Sequence, residues 1–417
     1  MPSDRLPRPG YTLFVLSLVM MLNVIDRQML AILIEPIKRD LDVSDAAMGL
    51  LTGTSFALLH VVAMIPIASL ADRHSRRSLI AWGLGVWSAL TVLTGLARSF
   101  GEMFWIRLGL GVGEATAVPA SHSLVSDLYP SARRATALSM LVLAGPIGQM
   151  IAYAGGGWIA ELWGWRTAFW LFGLPGIALA LTIRLSFVEP ERGAADGTGG
   201  RWTALPLTAA LRMLLRLAPF RHLALAGALA AVANYALLIW SAPLWMRAFD
   251  LGSGEVGTTL ALATGPANAA GILLAGRLAD RQSARDVRWL VWIPAIACAA
   301  ALGPAIGFAT ARTHASSVAF LAVASFLGAM VIGPVFTAVQ GIAPPNARSM
   351  AAATISLLVT AFGLGIAPPL VGWAADLGAA SRAGDSLRPA LVGAVLCFGW
   401  AAGHLVLAGR AMEARSR

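Results

Sequence analysis

Twelve runs of about 20 apolar residues constrain this chain more than any other feature, because a bilayer core takes a helix of that length. Windows of this size fall near 11–34, 46–70, 78–97, 102–126, 134–160, 167–188, 222–246, 255–278, 288–309, 316–340, 347–373 and 388–409. In lipid the backbone must satisfy its own hydrogen bonds, so the runs read as helices. Composition agrees: 58% of the 417 residues are hydrophobic and 12% charged, against roughly 25% charged in soluble domains. The expected fold class is an all-α membrane protein with twelve transmembrane helices. The net charge of +10 does not point to nucleic acid, since the arginines are scattered in small groups between apolar runs. Cys298 and Cys397 both fall inside such runs and read as small buried hydrophobes rather than metal ligands. No nucleotide loop of the Gly-x-x-x-x-Gly-Lys type is present, so neither an enzyme nor a cofactor is expected. The first run is too long for a cleaved signal peptide.

The runs form two sets of six around "EPERGAADGTGGRW" (189–202), which is Gly-rich and charged and reads as a linker. This predicts an N-terminal six-helix bundle (1–188), a cytoplasmic linker (189–220) and a C-terminal six-helix bundle (221–417). Within the linker, "ALPLTAALRMLLRLAPF" (204–220) places Leu211, Leu214, Leu215 and Ala218 on one face and Arg212 and Arg216 on another. It reads as a short amphipathic surface helix or a solvated connector. "SLADRHSRR" (69–77) recurs as "RLADRQSAR" (277–285), 208 residues on, half the chain length. Two duplicated six-helix halves are an arrangement of secondary transporters. With the N-terminus inside, 21 Lys and Arg fall in inside segments and 8 in outside segments. The positive-inside rule therefore puts both termini in the cytoplasm.

Twelve spans, a central cytoplasmic loop and the repeated loop motif resemble the major facilitator superfamily, whose loop signature runs Gly-x-x-x-Asp-Arg-x-Gly-Arg-Arg. The first copy supplies Asp72, Arg73, Arg76 and Arg77, with Ala68 and Ser75 in place of glycines. The second supplies Gly276, Asp280, Arg281 and Arg285, with Ser283 at the second glycine. "NVIDRQML" (23–30), "WIRLGLGVGEA" (105–115) and "WGWRTAFW" (163–170) further resemble the spinster-type branch, whose members are implicated in exporting lysolipids and sphingosine phosphate. The resemblance implies two pseudo-symmetric bundles whose helices 1, 4, 7 and 10 line a central cavity. It also implies that the charged residues of helices 1 and 4 serve coupling and substrate binding.

Four charges interrupt the first-half spans: Asp26 and Arg27 on helix 1, Arg107 and Glu114 on helix 4. A charge at the bilayer centre costs about 2.5–3.5 kcal/mol on insertion scales, so each needs a return. Arg107 and Glu114 are two turns apart on one face, and counting rise per residue puts Asp26 at about 12 Å depth, between Arg107 at about 8 Å and Glu114 at about 18 Å. One reading is structural, two ion pairs that fix helix 1 on helix 4. The other is a proton and substrate site, with Asp26 and Glu114 as proton carriers and Arg27 and Arg107, which stay charged, as anion anchors. The second-half spans hold no Asp, Glu, Lys or Arg near their centres. They offer Asn234, Tyr235 and Gln340 as substrate contacts, joined from helix 5 by Tyr153. A cavity charged on one wall and apolar on the other suits an amphipathic anion.

The expected function is therefore proton-coupled transport of an amphipathic, lipid-like anion (a lysophospholipid or sphingoid phosphate) by alternating access. A proton-linked drug exporter or small organic-anion carrier is the alternative, and a receptor or scaffold is disfavoured. Asp72, Arg73, Arg76, Arg77, Arg133, Arg134, Asp280 and Arg281 are expected to act as conformational latches, Asp72 meeting Arg133 or Arg134, with a bare topology signal as the other reading. Gly109, Gly111 and Gly113 are expected to let a neighbouring backbone approach helix 4. His60 and His122 read as packed histidines or proton relays. Trp158, Trp163 and Trp165 read as an interfacial belt. The partners expected are the substrate, protons and the bilayer, with no nucleic acid and a monomeric chain. High Ala and Arg with almost no Lys suggests a bacterial inner membrane.

Overall fold

A computed structural model describes residues 9–190, 207–344, 347–381 and 386–416. Most of the linker expected at 189–202 lies outside them, as do Arg5, Arg8, Arg192, Arg201, Arg382 and Arg417. Every regular element among the described residues is helical. We number the segments that match the apolar runs. They are α1 (Pro9–Ile32), α2 (Asp45–Gly49, a π-helical turn Leu50–Thr54, then Ser55–Arg73), α3 (Arg76–Thr94) and α4 (Phe100–Glu114 and Ala117–Leu128). There follow α5 (Ser131–Trp163), α6 (Trp165–Ser186), α7 (Ala218–Phe249), α8 (Ser253–Ser283) and α9 (Trp289–Thr310). The last are α10 (His314–Ala329 and Ile332–Ile342), α11 (Arg348–Leu358, a π-helical stretch Val359–Ile366, Ala367–Ser381) and α12 (Leu387–Val395 and Cys397–Ser416).

Eleven of these are long and apolar enough to cross a membrane. The exception, α4, is interrupted after Glu114, where the Thr116 hydroxyl turns back to donate to the Gly113 carbonyl at 2.8 Å. Large apolar side chains such as Trp82, Trp105 and Leu185 point outward, 70–80% exposed, while Asp26, Arg107 and Glu114 are buried. Lipid as the surrounding solvent accounts for that inversion.

The chain packs as two units. One comprises Met1–Val43, Ser55–Arg201 and Gly252–Ala261; the other comprises Ser44–Thr54, Trp202–Leu251 and Leu262–Arg417. In the first, α1 runs along α5, α3 along α6, and the first part of α4 lies against α2 and α3. Gly111 is required there, because a Cβ on it would sit 2.5 Å from the Phe56 carbonyl oxygen of α2. In the second, α7 packs on α12 and on the π-helical stretch of α11, while α9 packs on α10 and α12. The first turns of α2 also belong to this unit. A Cβ on Gly49 would lie 2.5 Å from the Pro368 carbonyl of α11. Asp376 caps this end of α2, accepting from the backbone N–H groups of Asp45 (3.0 Å) and Ala46 (2.8 Å). Arg247 clamps the Asp45 carboxylate through two bonds of 2.6 and 2.7 Å. The linker helix spans Leu207–Arg216, with Leu214 buried but Leu215 exposed beside Arg212 and Arg216. Its covered face is thus narrower than the leucine spacing suggests.

Candidate functional site

Asn23, Asp26 and Arg27 occupy positions i, i+3 and i+4 of α1 and therefore share a face. That face meets the Arg107 and Glu114 face of α4. Arg107 Nη1 lies 3.4 Å from Asp26 Oδ1, and Arg27 Nε lies 3.5 Å from Glu114 Oε2. The two helices are thus joined by crossed ion pairs, Asp26 with Arg107 and Arg27 with Glu114. Two polar residues complete the pairs. Asn23 accepts from Arg27 Nη2 at 2.6 Å and donates from Nδ2 to Glu114 Oε2 at 2.9 Å, bridging acid and base. Thr91 of α3 donates to Asp26 Oδ2 at 2.7 Å. Sequence reasoning did not single out either residue, because Asn and Thr occur throughout membrane helices as packing and hydrogen-bonding groups.

Exposure separates the four charges. The side chains of Glu114 and Arg107 are 0% and 1% exposed and that of Asp26 5%, whereas that of Arg27 is 30% exposed. Arg27 is therefore the member that solvent or a solute can reach. Its guanidinium also lies over the Phe56 ring, 5.7 Å from the centroid, and Phe56 stacks on His60 at 4.8 Å. His60 places Nδ1 3.0 Å from the Gly111 carbonyl, the reading of a packed histidine, while His122 is exposed. Among the described residues, Glu114 Oε1 and Arg107 Nε are buried with no hydrogen-bond partner. A proton added to Glu114 Oε1 displaces no existing bond.

The remaining candidates fall elsewhere. Tyr153 of α5 is buried against α1, its hydroxyl 3.4 Å from Gln28 Oε1. Asn234, Tyr235 and Gln340 belong to the second unit. Asn234 donates to the Ala230 carbonyl of its own helix at 3.0 Å, Tyr235 packs on Gly363 of α11, and Gln340 is exposed. Trp165 is buried beneath Arg166 rather than in an exposed belt, whereas Trp158 and Trp163 are exposed.

Among the described side chains of the loop motif, Arg76 gathers a buried cluster of partners. The side chains of Asp72 and Arg73 lie outside the described residues. Arg76, 1% exposed, bonds to the Asp127 carboxylate, to Ser123 Oγ at 2.9 Å and to the Pro190 carbonyl at 3.1 Å. Glu189 closes the cluster, accepting from the Ser75 hydroxyl and, at 2.7 Å, from the Arg76 backbone N–H. Partial burial pushes the Glu189 carboxyl up, but those bonds and the Arg76 guanidinium outweigh it and hold it below the usual glutamate range. Arg77 donates to the Phe187 carbonyl at 2.9 Å. Arg134 donates to the carbonyl of nearby Tyr129 at 3.4 Å, and Arg133, Asp280 and Arg281 are exposed.

Comparison with known proteins places this geometry. Residues 16–368 match the profile of the family described as Major Facilitator Superfamily. An MFS-type efflux pump of Mycolicibacterium smegmatis is 33% identical over 87% of this chain and 83% of its own length. The zebrafish sphingosine-1-phosphate transporter SPNS2 is 29% identical over 56% of this chain, an alignment covering 47% of that protein. A crystal structure of a bacterial homologue of the human lysosomal transporter Spinster, inward-facing and unoccupied, superposes with a TM-score of 0.87 at 26% identity, covering 97% of both chains.

Proposed function

The chain belongs to the major facilitator superfamily, and on that premise we propose that it is a proton-coupled carrier of an amphipathic, lipid-like anion. One observation carries the reading. Two buried acids, Asp26 and Glu114, are each held by an arginine, and only Arg27 is open to a solute. An anionic head that reaches Arg27 competes with Glu114 for the guanidinium. Once released, the Glu114 carboxylate is a buried charge with a single neutral donor, Asn23, and takes up a proton rather than stay ionised. Arg107 keeps its charge throughout and holds Asp26. Glu114 is then protonated in the loaded form and ionised in the empty one, and that difference couples the proton to the cargo. The second-half spans carry no Asp, Glu, Lys or Arg near their centres, which suits an apolar tail. The asymmetry of Lys and Arg supports cytoplasmic termini, and the Ala- and Arg-rich, Lys-poor composition supports a bacterial inner membrane.

The test reconstitutes the protein in liposomes and follows lysophospholipid, sphingoid phosphate and dye movement with and without a pH gradient. Transport indifferent to the gradient removes proton coupling, and lysophospholipid binding unchanged in Arg27→Met removes the anionic head. A second reading, proton-linked drug export, rests on the similarity to the mycobacterial efflux pump over most of both chains. It predicts gradient-dependent dye efflux that survives Arg27→Met.

A further inference from the structure

Thr91 presents one hydroxyl hydrogen to two acceptors: Asp26 Oδ2 at 2.7 Å and the carbonyl oxygen of Trp87, one turn back on α3, at 2.9 Å. Thr91 is 3% exposed and Trp87 1%, so no water from bulk stands in for the acceptor that goes without. A hydroxyl donates one bond and accepts others, so the arrangement has two complete forms. With Asp26 ionised, Thr91 donates to the carboxylate. With a proton on Asp26 Oδ2, the acid donates to Thr91 Oγ and Thr91 donates to the Trp87 carbonyl. Thr91 neither gains nor loses a proton between the two; only its hydroxyl rotates.

We propose that Thr91 is a positioning residue for the transport reaction, holding Asp26 and exchanging hydrogen-bond acceptors as Asp26 gains or loses its proton. The inference rests on the proton-coupling reading above and names a residue of α3 in addition to the charges of α1 and α4. The charged groups acting on Asp26 are Arg107 and Glu114 from α4 and Arg27 from its own helix; from α3 it meets the hydroxyl alone. The link also has a direction through the fold. Trp87 is the side chain against which Gly113 of α4 packs, a Cβ on Gly113 lying 2.9 Å from Trp87 Cβ. The second acceptor of Thr91 is thus on the residue that adjoins the neighbour of Glu114.

The test is an infrared pH titration of the full chain in lipid vesicles, following the stretching band of protonated carboxyl groups. The band lost in Asp26→Asn belongs to Asp26. A hydroxyl bonds a carboxylate more strongly than a neutral acid, so in Thr91→Val the midpoint of that band should rise by about one pH unit and its frequency should increase. Thr91→Ser, which keeps the hydroxyl, should restore both. An unchanged midpoint in Thr91→Val overturns the proposal, as does an Asp26 band that does not titrate. A merely structural Thr91 would lower the thermal midpoint of the valine variant and leave the band in place. Lysophospholipid transport that ignores a pH gradient would sink the proton-coupling reading and leave this titration untouched, so the two failures are separable.

Discussion

Arg27 and Arg107 are chemically alike and structurally opposite, and their variants should separate. Arg107 is 1% exposed beside Asp26, and removing one partner of a buried pair costs roughly 3–5 kcal/mol. Arg107→Gln should therefore lower the thermal unfolding midpoint strongly, and Arg107→Gln combined with Asp26→Asn should recover much of the loss. Arg27 is partly exposed, so Arg27→Met should leave the midpoint closer to wild type while lysophospholipid binding, measured by calorimetry, falls at least tenfold. Arg27→Lys should bind at an intermediate level, because a lysine keeps the charge but loses the fork that spans Asn23 and Glu114. Glu114→Gln keeps the shape and the bond from Asn23 and removes the titratable group. Transport by that variant should lose its dependence on the pH gradient while exchange of cargo persists.

At the scale of elements, two contacts set how helices sit in the first unit. The α2–α4 approach depends on Gly111, and Gly111→Val should cost about 1–3 kcal/mol by forcing apart backbones with no room for side-chain atoms, read as a lower unfolding midpoint. The start of α3 is anchored by Arg76, whose partners Asp127 and Glu189 lie 51 and 113 residues away in sequence. The folded structure holds the Glu189 carboxyl below its usual range. Its contribution is therefore fully present above the unfolded value and is lost as pH falls through the lowered one. Wild type should lose stability on acidification across that window, and Glu189→Gln should remove this component of the pH dependence.

Across the whole molecule, the legibility of the sequence followed the cost of placing residues in lipid. Twelve apolar runs are visible because each must be long and nearly free of charge, and Asp26, Arg27, Arg107 and Glu114 stand out as breaches of that rule. A helical membrane fold and the four-charge cluster were readable on those grounds, and the family from the loop motif repeated 208 residues on. Asn23 and Thr91 violate nothing, so their roles emerge only once α1, α3 and α4 are packed together. The partners of Arg76 were hidden for a different reason: ion pairing between loops distant in sequence leaves no local pattern. The π-helical turns of α2 and α11 likewise did not stand out in the sequence; they lie beside the close approach of Gly49 to Pro368.

The exposure of Arg27 alone among the four charges has a consequence for the direction of transport. Under the proposed coupling, an anion that draws Arg27 away from Glu114 would make a proton bind more readily, and by reciprocity a proton already bound would make room for the anion. Cargo and protons that recruit each other travel together, so an inward proton gradient would pull the anion into the cell. Expulsion by exchange requires the opposite, cargo that evicts protons. Adding lysophospholipid to the protein in weakly buffered detergent decides the matter by the sign of the pH change: alkalinisation marks co-movement, and acidification marks exchange.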